Sequence, residues 1–134
     1  MHRFKLLVLL IIFGLISCTT LSVKARMEKF GRIAEAYEFS LLNSDYLMAA
    51  RFIEPSAQQE PFNESYYKNI KIVEYKITHM EVSDDRYRVT QDVELQYFLL
   101  NNNRLRTIRY HQLWRYNEAQ AVWLLYSSLP KFRQ

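Results

Sequence analysis

Only one of the 134 residues is cysteine and only two are glycine. The lone thiol, Cys18, has no partner in the chain, so any folded part is held together without a disulfide. Both glycines, Gly14 and Gly31, fall in the first quarter. The remainder therefore has no Gly-rich loop to cradle a phosphate, and its turns are assigned to Asn and Asp, which tolerate positive φ. Histidine is as scarce: beyond His2 there are His79 and His111, with no Cys/His spacing suited to zinc. There is no G-x-S-x-G nucleophile elbow, no internal repeat and no low-complexity block. Charge of one sign is also lacking, because Arg3 and Lys5 supply half of a net +4. Arg86, Arg88, Arg104, Arg106, Arg109 and Arg115 do gather in the second half. Without a concentrated basic stripe they read as a solvated sheet face, with a strip that binds anions or lipid headgroups as the alternative, and nucleic acid is not an expected partner.

What is present begins with a leader. Arg3 and Lys5 precede an almost unbroken apolar run, Leu6 to Ile16. At about eleven residues this is too short to cross a hydrocarbon core of roughly 30 Å as a helix. A charged start, a short apolar middle and small residues at its end read as a secretory signal. The segment closes as Leu15-Ile16-Ser17-Cys18, which resembles the lipobox of bacterial lipoproteins. That resemblance implies diacylglyceryl transfer to the Cys18 thiol and cleavage after Ser17. Thr19, with no Asp there, implies passage to the outer membrane by the enterobacterial sorting rule. The organisation expected is a signal peptide over 1–17, the lipidated cysteine with a short tether over 18–21, and one domain over 22–134.

Those 22–134 residues suffice for one continuous core. Val23, Met27, Phe30, Ile33, Ala34, Tyr37, Leu41 and Leu42 recur with helical period, while Lys24, Arg26, Glu28, Lys29, Arg32 and Glu35 take the other side. Asn43-Ser44-Asp45 breaks this helix and offers a cap for a second, Tyr46 to Ile53, stopped by Pro55. Residues 56–63 read as loop, with a helical turn near Glu64 to Lys68. After Asn69 the period becomes two. Ile70 to Ser83 is the first strand, with Val73, Tyr75 and Ile77 alternating with charges and a bulge near Ile72-Val73. Arg86 to Leu100 is the second, with Tyr87, Val89, Val93, Leu95, Tyr97 and Leu99 on one face. A turn at Asn101-Asn102-Asn103 leads to Arg104–Tyr116, and Ala121–Ser128 is the last strand.

The fold class this predicts is α+β, N-terminal helices packed on a curved, mainly antiparallel four-stranded sheet. The order of elements, with Leu42-Asn43-Ser44-Asp45-Tyr46 at a helix junction and Gln112-Leu113-Trp114-Arg115-Tyr116 and Val122-Trp123-Leu124-Leu125 as the closing hairpin, resembles the nuclear transport factor two-like superfamily. That group is cone-shaped and includes ketosteroid isomerase. A cystatin-like sheet wrapped on one helix is similar too. The resemblance implies a cavity in the cone, a carboxylate or His-Asp pair there in its enzymes, and dimers through the exposed sheet face.

Candidate chemistry is sparse. Asp92 and Glu94 alternate with the apolar residues of their strand, so they point away from Val93 and Leu95. His111 shares a face with Arg109 and Leu113. Tyr110, Trp114, Tyr116 and Trp123 either fill the core or line a pocket for an apolar molecule. The function expected is a membrane-anchored, non-catalytic binding or scaffolding domain in the cell envelope, on the periplasmic side of the outer membrane. Its partners would be the membrane, an envelope protein or small apolar ligand, and a second copy of the chain. No cofactor or metal is expected. The alternatives are a small ketosteroid isomerase-like enzyme using a cavity carboxylate, and a cystatin-like hydrolase inhibitor, although the chain has no Gly-rich wedge.

Overall fold

The computed structural model describes residues 2–134, with side chains from residue 22 onward. The leader over 1–17, Cys18 and the tether over 18–21 thus lie outside the residues whose side chains are described. Helix α1 (His2–Leu42) is followed by α2 (Tyr46–Ala50), a 3₁₀ turn (Pro55–Ala57) and α3 (Glu64–Tyr67). Strands β1 (Ile70–Val82), β2 (Arg88–Leu99), β3 (Asn102–Asn117) and β4 (Val122–Leu125) form one antiparallel sheet in sequence order. A helix packed on an open, curled four-stranded sheet is the α+β arrangement that the change of hydrophobic period anticipates.

α1 ends where the side chain of Asp45 accepts from the Met48 N–H at 3.1 Å and so caps α2. Its C-terminal end is tied to β1, whose Lys71 Nζ donates to the Leu42 carbonyl at 2.7 Å. Farther back along the helix, α1 meets the β1–β2 turn, where Arg26 Nε donates to the Arg86 carbonyl at 2.9 Å. Arg26 Nη2 donates to the Asp85 carbonyl at 3.2 Å, and the guanidinium lies 4.0 Å from the Tyr87 ring centroid. The helical pattern placed Arg26 on the polar side, yet it is buried. Two turn carbonyls and an aromatic face replace its water, which makes that burial tolerable. Phe30, Tyr37 and Leu41 are buried as expected, whereas Met27, Ile33, Ala34 and Leu42 pack at the margin of the core.

β2 shows the alternation in full: Val89, Gln91, Val93, Leu95, Tyr97 and Leu99 are buried toward α1. β1 departs from expectation. Register shifts fall between Ile72 and Glu74, as anticipated, and also between Ile77 and His79. The first shift buries Ile72 and leaves Val73 exposed, and Ile77, opposite buried Val93 on the edge strand, is also exposed. β1 is an edge of the sheet. The opposite edge is covered, since Leu125 N–H donates to the Phe52 carbonyl and the Glu54 N–H donates to the Leu125 carbonyl.

Turn chemistry also differs from expectation. Among the described residues the positive φ angles belong to Ser44 (59°), Arg86 (61°) and Ala121 (52°), not to Asn. The β2–β3 turn closes on Leu99 opposite Asn102, so Asn102 and Asn103 already belong to β3. A side chain at positive φ costs about 1–2 kcal/mol. Ala121→Gly is therefore expected to raise the unfolding free energy by up to about 1 kcal/mol, read as a higher midpoint in urea. Gly31 is the converse case. It sits on the exposed side of α1, and a β-carbon there would meet nothing within 4 Å. Gly31→Ala should add about 0.5–1 kcal/mol through helix propensity, read in the same assay.

Candidate functional site

The aromatic set divides between core and rim. Trp114 and Trp123 are fully buried and Tyr110 nearly so. Phe30 stands edge-on to both tryptophans, at 6.1 and 5.1 Å between ring centroids. Tyr37 meets Trp114 at 5.5 Å. Tyr116 lies half-buried beside Trp123, in a shallow depression shared with Arg26, Lys29 and Tyr87. Rings thus occupy the space between helix and sheet where a cone-shaped fold would hold a cavity.

Buried polar atoms in that interior are largely paired with one another. Trp114 Nε1–H donates to Gln112 Oε1 at 2.9 Å, and Gln112 Nε2 donates to the Tyr75 hydroxyl at 2.6 Å. The Tyr37 and Tyr110 hydroxyls are 2.7 Å apart, and Tyr110 donates to the Ser128 carbonyl at 2.8 Å. Gln91 Oε1 alone among the described buried side-chain atoms has no partner. Burial pushes the Tyr75 hydroxyl up to about 12 although the Gln112 amide favours its ionised form. Burial also raises Tyr46 to about 12 and holds Tyr37 well above the ordinary tyrosine value. Each folded-state pKa exceeds the unfolded value near 10, so these groups contribute stability that is complete below that pH. It should fall as pH rises from about 10 through 12. Urea midpoints measured across this window, with 295 nm absorbance reporting phenolate, should decline together.

The expected carboxylates stand outside. Asp92 is opposite His111, with His111 Nδ1 2.6 Å from Asp92 Oδ1, and both side chains are more than half exposed. Glu94, opposite Arg109, shares that outer face. The arginine group is split: Arg88, Arg109 and Arg115 lie on the outer face, and Arg106 pairs opposite inward-facing Tyr97. Arg106 also donates to the Arg133 carbonyl at 2.9 Å, so it is not simply solvated. Among the described residues no group of three or more His, Cys, Asp or Glu is placed to hold a metal.

The most enclosed groove among the described residues lies elsewhere, between the polar loop, α3 and the C-terminal segment. It encloses about 240 Å³ and is walled by Ile53, Pro61, Phe62, Tyr66, Tyr67 and Leu129, with Gln58, Asn63 and Lys131 at its rim. Asn63 caps α3 by accepting from the Tyr66 N–H at 3.3 Å, which sets the two tyrosines in place. Tyr67 lies parallel to Phe62 at 5.7 Å and stacks on Tyr46 at 4.9 Å. The opposite wall is held by tyrosine hydroxyls. Tyr66 donates to the Phe132 carbonyl at 2.7 Å and accepts the Phe132 N–H at 2.8 Å. Tyr97 does the same with Arg133, at 3.0 and 2.9 Å. Each phenol thus pairs with both polar groups of one residue, as a neighbouring strand would. An apolar cleft with a few polar groups at its rim suits a small apolar molecule or an apolar side chain. Sequence reasoning assigned residues 56–63 to loop and missed this site, although Pro61-Phe62, Tyr66-Tyr67 and Leu129 were its available signal.

No protein-family model matches this sequence, and no curated protein or solved structure matches it significantly.

Proposed function

We propose that this chain is a lipid-anchored protein of the bacterial envelope, on the periplasmic side of the outer membrane, whose domain binds or scaffolds rather than catalyses. The observation that carries the proposal is Leu15-Ile16-Ser17-Cys18 behind a charged start and a short apolar run. Among the described residues, no helix is long and apolar enough to cross a membrane. Supporting a binding role, the groove beside Tyr67 and Leu129 offers an apolar cleft, while Asp92 and Glu94 face outward. The interior between helix and sheet is occupied by Trp114, Tyr37 and Tyr110, which supports binding over catalysis.

Mass spectrometry of the chain purified from bacterial membranes tests the anchor. The expected N-terminal peptide begins at Cys18 and carries diacylglycerol. A free Cys18 thiol, or a mature terminus elsewhere, would overturn the reading.

A further inference from the structure

We infer that the end of the domain formed by the stretch of α1 around Arg26, the β1–β2 turn and the β3–β4 turn docks on anionic phospholipid headgroups of the bilayer that holds the chain. This rests on the membrane anchoring proposed above. α1 runs without interruption from Cys18, the N-terminus of the anchored form, into the core. At 1.5 Å per residue, Lys24 stands about 9 Å and Lys29 about 16 Å along the axis from Cys18. A continuous helix, unlike a flexible tether, fixes which end of the domain meets the membrane.

That end is fastened together by Arg26, whose guanidinium bonds the Asp85 and Arg86 carbonyls and whose own carbonyl accepts from Trp123 Nε1 at 2.9 Å. Around it stand exposed cations. Lys24, Lys29 and Arg86 are exposed, and Arg88 lies directly opposite Arg115 across the β2–β3 ladder, both exposed. Like charges opposed in this way repel unless an anion lies between or beside them. Among the described residues none of these cations forms an ion pair, since both such pairs involve histidine. Of the nearby carboxylates, Asp85 is turned into its own loop, accepting from the Ser83 hydroxyl at 2.5 Å and the Tyr87 N–H at 3.0 Å. Asp84, Glu118 and, between Lys24 and Lys29 on α1, Glu28 remain as partial offsets.

The surface also has shape. A depression of about 320 Å³ opens beside Ser22, walled by Arg26, Lys29, Tyr87 and Tyr116, with Glu118 at its side. Tyrosine rings beside cations suit the headgroup layer, where an apolar ring and a polar hydroxyl are both accommodated. Each cation held near an anionic surface strengthens attachment roughly fivefold, and the effect fades within about 10 Å at 0.1 M salt.

The test uses the full chain, purified from membranes of expressing bacteria and reconstituted into vesicles. A fluorophore is placed on Ala119→Cys, in the β3–β4 turn, or on Asn102→Cys at the far end of β3. In phosphatidylcholine–phosphatidylglycerol vesicles (7:3) carrying a headgroup quencher, the label at 119 should be strongly quenched and that at 102 weakly. The difference should shrink markedly in pure phosphatidylcholine, in 1 M NaCl, and in the triple variant Lys29→Glu, Arg88→Glu, Arg115→Glu, leaving only the contrast that the anchor itself imposes. Equal quenching at both positions, or no dependence on phosphatidylglycerol, would overturn the docking. The lipid and salt comparisons use the unreversed charges, so they decide the matter even if the triple variant folds poorly. The mass of the N-terminal peptide in the same sample judges the anchor separately: an unacylated Cys18 rejects that reading, while the quenching contrast still decides the docking.

Discussion

Trp114→Ala is expected to lower the unfolding free energy by about 4 kcal/mol. The indole is fully buried, meets Phe30 and Tyr37 edge-on, and pairs across the sheet with Val89 and Leu125. Its removal empties the middle of the space between helix and sheet. It also deprives Gln112 Oε1 of its only donor, which adds a desolvation penalty to the cavity term. With natural domains stable by only about 5–15 kcal/mol, much of the folded margin would disappear. Urea unfolding followed by the fluorescence of Trp123 measures the loss directly. A decrease below about 1.5 kcal/mol would mean that Trp114 is not the central packing element. Trp114→Phe helps separate the two contributions, because it discards the N–H while leaving a much smaller cavity than alanine.

Cys18→Ala should move the protein from the membrane fraction to the soluble periplasm, or leave an uncleaved precursor. The size of the effect follows from acyl chemistry. Each buried methylene is worth about 0.8 kcal/mol, and one chain holds only marginally, whereas two or more on a single residue hold durably. The headgroup contacts proposed for Lys29, Arg88 and Arg115 are weaker and salt-dependent. Washing membranes at high salt should therefore leave the unmodified protein in place and strip any residual Cys18→Ala protein. An alanine variant that stays bound in high salt would show that another segment holds it.

The long periodic elements were legible because their signal is local. In β2 the alternation of Val89, Val93, Leu95, Tyr97 and Leu99 specifies the buried face without reference to any partner. Gln91 occupies that same face but is polar, so alternation by hydrophobicity passes over it. Arg26 was misread for a related reason. Its burial depends on the Asp85 and Arg86 carbonyls, about sixty residues away, which no helical wheel contains. Val73 illustrates a third limit: a bulge was anticipated at Ile72-Val73, but which of two adjacent apolar residues turns inward depends on the register with β2. The groove was the least legible feature. Its far wall exists because Tyr66 and Tyr97 hold Phe132 and Arg133 through hydroxyls from distant segments, and Leu129 is buried by the same arrangement.

The register shifts of β1 have a consequence for behaviour at high concentration. A smooth outer strand offers a ladder on which a stray extended segment can grow, and open sheets are prone to aggregation by this route. Breaks between Ile72 and Glu74 and between Ile77 and His79 divide that ladder into short stretches. An incoming strand without matching irregularities could engage one stretch at a time, too little to nucleate a fibre. The kinks thus work against edge-to-edge growth of an open sheet despite the exposed Ile77 and Met80 beside them.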